Sequence, residues 1–169
     1  MDALERVDRI DFQNIRWKLN SKDGEENWSN ERIEEAEALY KAYLALLLCY
    51  AELNDSLAPP ILADDYWHAH ILDTRKYMAD CNKLFGEYLH HFPYFGMRGK
   101  EDAEALVESS KLVFGLLRHH FFSIPKYKYL VSKYGENTDC SNCGKSCSSC
   151  KDCVSILDSK ARLATPLSA

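Results

Sequence analysis

The sequence is poor in residues that bend a chain, with seven glycines and five prolines among 169 residues. It has no Asn-Gly hairpin signal and no clean apolar/polar alternation, so strands are not expected. It carries no GxSxG elbow, no P-loop and no dinucleotide fingerprint, which removes the enzyme classes built on them. No CxxCH motif attaches a haem. The longest apolar run is AYLALLLCYA, Ala42 to Ala51, flanked by Lys41 and Glu52. A bilayer span needs about 20 such residues, so no membrane span is expected and the run reads as a core helix. The opening MDALERVDRIDF lacks the basic and apolar regions of a secretion signal. The expectation is a cytoplasmic protein whose cysteines stay reduced and serve metals or redox chemistry.

Positive charge in excess is also missing. The net charge is −5, and sequence-independent nucleic-acid binding needs a basic surface. Residues 1–58 hold 13 acids against 7 bases, whereas 59–135 hold 9 against 10. The acidity therefore belongs to the N-terminal helices, no segment is strongly basic, and no nucleic-acid partner is expected.

What is present is helical periodicity. Residues 2–18 place Leu4, Val7, Ile10, Ile15 and Trp17 on one side of a first helix. A loop follows at 21–27. A long helix runs from about Trp28 to Leu53, with Asn27 or Ser29 as cap and Glu31, Glu34 and Glu35 near its positive end. Pro59 and Pro60 forbid its continuation. A third helix covers Asp64 to Phe85 and ends at Gly86. A fourth spans Glu101 to His120, and a fifth has Ser123 as cap, Pro125 in its first turn and Gly135 at its end. The sequence predicts an all-α fold: a single compact bundle of about five helices over residues 1–135, then a Cys-rich, weakly structured C-terminal tail over 136–169.

Four of the six histidines fall in one stretch, DDYWHAHILDTRKYMADCNKLFGEYLHHFPYFG, Asp64 to Gly96. At about 100° per residue, Trp67, Ile71, Thr74, Met78, Cys81 and Phe85 share one side of a continuous helix. His70 points into the core beside them. His68 falls on the opposite, solvated side near Asp64. Histidines at i and i+2 diverge by roughly 160° and cannot chelate one ion on a regular helix. The partners His70 can reach are Asp73, Thr74 and Tyr77, with a third ligand from the His90–His91 corner. One reading is a metal on His70, Asp73 and His91, joined by His68 if the helix bends. His and carboxylate donors suit zinc or iron. The plainer reading is a buried, hydrogen-bonded histidine that organises a polar core.

This stretch resembles the helical domain of the glycine-rich domain-containing protein-like family of plants and bacteria. The residues that carry the resemblance are Trp67, His68, His70, Tyr77, Asp80, Cys81, Phe85, Gly86, His91 and Pro93. The resemblance implies an all-helical domain and names no activity. RNA binding by some plant members is not carried over, because no RNP-type motif is present.

The tail holds CSNCGKSCSSCKDC, Cys140 to Cys153. Five thiols in fourteen residues suit a soft metal. The spacings match neither a zinc ribbon nor a bacterial ferredoxin. A wrap around one ion by Cys140, Cys143, Cys147 and Cys150 is feasible. The rivals are disulfides, a lipid anchor, or a tail that binds a protein partner or a modifying enzyme. Cys49 and Cys81 read as buried small hydrophobes.

Three functions follow. The first is a small metal-binding protein with a His-centred site in the fold and a thiolate site in the tail. The second is a metalloenzyme with an open coordination position at the same histidines. The third is a metal-free interaction or scaffold module.

Overall fold

A computed structural model of the protein describes residues 2–21 and 27–135, without the side chains of Asn54 and Asp55. The described residues form seven α-helices and one 3-10 turn, with no strand among them. The helices are α1 (Ala3–Asp8), α2 (Gln13–Asn20), α3 (Asn30–Cys49), α4 (Ile61–Leu72), α5 (Thr74–Phe85), α6 (Lys100–Phe121) and α7 (Pro125–Tyr134). The all-α expectation holds. The count rises from five to seven because two expected helices are each broken once.

The first break separates α1 from α2. Asp11 Oδ1 accepts from the Gln13 N–H at 2.9 Å, a local bond that competes with helix continuation. The break lets Ile10 and Phe12 both enter the core, although a continuous helix would point them roughly 160° apart. It also corrects the apolar side read for this segment, because Trp17 is 75% exposed.

α3 is the central helix and packs against α1, α2, α4, α6 and α7. Ser29 Oγ caps it by accepting from the Arg32 N–H at 3.2 Å. Its second half is buried nearly all round, as the apolar run from Ala42 demands. Glu37 is buried too. It is held by the Arg16 guanidinium, by Lys41 Nζ at 3.1 Å and by the Tyr66 hydroxyl at 3.0 Å. These bonds keep its carboxyl below the ordinary range against the opposing effect of burial.

The turn after α3 (Ala51–Ser56) is pinned from two sides. Tyr43 donates to the Leu57 carbonyl at 2.6 Å, and Ser109 Oγ accepts from the Ala58 N–H at 2.7 Å. α4 then starts at Ile61 directly after the two prolines. At the far end, Pro125 opens α7 as expected, but Ile124 rather than Ser123 is its cap residue and no side chain caps it.

The second break divides the expected Asp64–Phe85 helix at Asp73, whose backbone leaves helical geometry at φ −85°, ψ 70°. Its side chain accepts from the Lys76 N–H and starts α5. α5 ends at Gly86 with φ 78°, a left-handed conformation that a side chain would strain. The break also turns Met78 outward to 53% exposure, away from the core face expected for it.

Candidate metal centre

α4 carries WHAH and presents its two histidines to different environments. His70 is 2% exposed while the His68 side chain is 50% exposed, so the helical arithmetic for this pair holds. His70 Nδ1 lies 3.0 Å from the Tyr40 hydroxyl, and its Nε2 lies 3.0 Å from Asp80 Oδ2. The Asp80 carboxylate can only accept, which puts the ring proton on Nε2 and leaves Nδ1 to accept from the Tyr40 hydroxyl. Lys76 Nζ neutralises Asp80 at 2.6 Å. Burial lowers the His70 pKa to about 4, with the Asp80 carboxylate opposing the shift. Both nitrogens of a neutral His70 are satisfied inside the protein. Phe12 and Tyr77 close over the ring edge-on, at 5.2 and 5.0 Å between centroids.

His68 belongs to a different group. Asp64 and His68 are four residues apart on α4 and share a face. His91 reaches them from the irregular segment after α5. His91 Nε2 lies 2.9 Å from Asp64 Oδ1 and 3.2 Å from His68 Nε2, and His68 Nε2 lies 3.7 Å from Asp64 Oδ2. Each of the three offers one ligand atom, and these atoms all lie within 4.8 Å of one another. A tetrahedral zinc site with bonds of ~2.0–2.1 Å has donor–donor edges of about 3.3 Å. The His68–His91 separation is close to that value, and the two contacts to Asp64, one to each carboxylate oxygen, fall on either side of it.

Several contacts locate the segment that delivers His91. The Trp67 indole N–H donates to the Tyr77 hydroxyl at 2.9 Å, and that hydroxyl donates to the Leu89 carbonyl at 2.6 Å. The Trp67 ring meets the His91 ring at 4.5 Å between centroids. Farther along, Asp102 accepts from the Gly96 and Arg98 backbone N–H groups at 2.7 and 3.1 Å. Gly96 adopts φ 86°, and a Cβ there would come within 2.5 Å of Leu106.

The structure therefore regroups the residues singled out in the sequence. His70, Asp73 and His91 do not form one site: His70 is occupied by Tyr40 and Asp80, Asp73 caps α5, and His91 joins His68. His68 takes part without any bend at its own position, because its partner Asp64 lies on the same face. Asp64 is the candidate donor absent from the sequence-based set, although its i, i+4 spacing to His68 was in plain view. Cys140, Cys143, Cys147 and Cys150 lie outside the described residues. Cys81 is buried as expected, but Cys49 is exposed.

Among the described residues, no helix is long and apolar enough to cross a membrane. No curated protein and no solved structure matches the chain. A family model described as UCP032817-like matches residues 4–122, from α1 to the end of α6. This corrects the resemblance drawn from the Trp67–Pro93 motif, since no glycine-rich domain-containing family is shown. Much of that motif is accounted for by packing: Trp67, Tyr77, Cys81 and His70 are core residues, and Gly86 ends a helix. The chain belongs to the UCP032817-like family.

Proposed function

We propose that this protein binds a divalent transition metal, zinc or iron(II), through Asp64, His68 and His91. The carrying observation is the convergence of two imidazole nitrogens, 3.2 Å apart, on the Asp64 carboxylate, whose Oδ1 lies 2.9 Å from His91 Nε2 and whose Oδ2 lies 3.7 Å from His68 Nε2. Two imidazoles and one carboxylate form a donor set used by both metals. Metal handling or delivery is the reading this supports best, with the tail cysteines as a second, thiolate site in a reducing cytoplasm.

A metalloenzyme is the second reading. Three protein ligands leave at least one coordination position free, and the half-exposed His68 sets the site at the surface. An ion held there would carry a solvent molecule, which a Lewis-acidic metal activates. Cobalt(II) substitution tests this: a visible spectrum that changes on adding azide supports an exchangeable position.

The metal reading is tested by titrating the full-length protein with zinc, and separately with iron(II) under anaerobic conditions, against a chromophoric chelator. Quintuple Cys140/Cys143/Cys147/Cys150/Cys153→Ser protein isolates the site in the fold. That variant is expected to bind one equivalent, and His91→Ala in the same background is expected to lose at least about 100-fold in affinity. Equal affinity with and without His91 sinks the site. Absence of binding by either metal leaves the metal-free interaction module as the surviving function.

A further inference from the structure

The donors differ in how they are held. Asp64 and His68 are fixed relative to each other by α4 itself. His91 stands on a segment with no helix to position it, so something else must set its distance from α4. The contacts that do so form a closed circuit: Trp67 on α4, Tyr77 on α5, the Leu89 carbonyl, then His91 two residues later, and back to Trp67 through the ring contact.

We propose that Tyr77 is the positioning residue of the metal centre, its hydroxyl tying α4 to the segment that delivers His91. This rests on the metal reading above. The hydroxyl has one proton, given to Leu89, and its lone pair receives the Trp67 indole proton. Burial keeps the phenol protonated by raising its pKa. Trp67 and Tyr77 are 4% and 1% exposed, so water cannot readily replace the bond between them, while the bond to Leu89 is half-buried. Removing the hydroxyl leaves a buried indole N–H and a carbonyl without partners. The segment then has to shift to resatisfy them, carrying His91 with it. Residues that orient a ligand in this way typically contribute 10- to 100-fold to metal affinity. The Cys81 thiol also bonds to the Leu89 backbone, so partial rather than complete loss is expected.

Tyr66→Phe is the control. Tyr66 is a fully buried tyrosine of α4, the helix that carries Asp64 and His68, but its hydroxyl serves Glu37. Zinc affinity is measured by chelator competition in the full-length protein, its five tail cysteines changed to serine, for the parent, Tyr77→Phe and Tyr66→Phe. Tyr77→Phe is expected to bind zinc about 10- to 100-fold more weakly, and Tyr66→Phe within about 2-fold of the parent. In the same three metal-free proteins, NMR cross-peaks between the His91 and Trp67 rings are expected to weaken or vanish in Tyr77→Phe alone. Unchanged zinc affinity in Tyr77→Phe, equal losses in both variants, or cross-peaks intact in Tyr77→Phe overturn the positioning role. If no protein binds zinc or iron(II) and the cross-peaks still change as expected, the metal reading falls and the hold of Tyr77 on His91 stands.

Discussion

His70 and His68 are two residues apart on one helix, and the protein treats them in opposite ways. His70 is enclosed, neutral and bonded at both nitrogens to Tyr40 and Asp80. His68 is half exposed and directs Nε2 toward another imidazole and a carboxylate. A histidine with both nitrogens committed inside the protein has no lone pair to give a metal. One that shares a small surface volume with two further donors does. Proximity in sequence is therefore a poor guide to shared function, and helical direction is a better one.

The comparison breaks most sharply at His70. His70→Ala empties a core position, strands the Tyr40 hydroxyl and leaves Asp80 with Lys76 alone. The expected cost is about 3–5 kcal/mol in urea unfolding with chelator present, while zinc stoichiometry in folded protein stays unchanged. Loss of the metal together with stability would reunite the two histidines in one site. His91→Ala is the mirror image. It removes zinc binding and costs metal-free stability only about 1–2 kcal/mol, less than His70→Ala, through its lost contacts to Trp67 and Asp64.

The pH dependence sharpens the same contrast. In the unfolded chain His70 titrates near the ordinary ~6.5, whereas in the fold burial lowers it to about 4. The unfolded state therefore binds a proton first. The stability contributed by neutral His70 is complete above about pH 6.5 and declines as pH falls toward 4. Asp80, Lys76 and Asp73 are the charged groups that act on the ring. The decline is on the order of 3 kcal/mol. Metal-free unfolding of the wild type and His70→Gln at pH 7, 5.5 and 4.5 reads it directly, and parallel curves would remove His70 as the cause.

The smallest effect is expected at Asp73. As a helix cap, its replacement by alanine costs about 1 kcal/mol and leaves zinc affinity within about 2-fold. A large loss of affinity would restore it as a ligand.

The helical content was legible because apolar spacing and caps agree over most of the chain, and the divergence of His68 from His70 followed from helix geometry alone. The partners of His70 were not legible. They depend on a break that turns α5 back along α4, so that Trp67 meets Tyr77 and His70 meets Asp80, each pair ten residues apart. On a straight helix such residues are about 15 Å apart. The Asp-Thr pair at 73–74 was the available cue, a capping residue followed by a β-branched one. The reach of His91 was hidden for another reason, because it is set by tertiary contacts of Tyr77 and Trp67 rather than by local spacing.

The break at Asp73 also bears on the order of folding. Closing a loop of about ten residues takes on the order of 10–100 ns, and local pairings of this kind favour fast folding. Trp67–Tyr77 and His70–Asp80 are local in this sense, and the donors Asp64, His68 and His91 lie within the same short stretch of chain. Tyr40, by contrast, must arrive from α3, thirty residues away. The donor-bearing hairpin is thus expected to assemble ahead of the core that later encloses His70. Pulse-labelled amide exchange during refolding would register this as protection in 64–85 before 36–47, and the reverse order would exclude it.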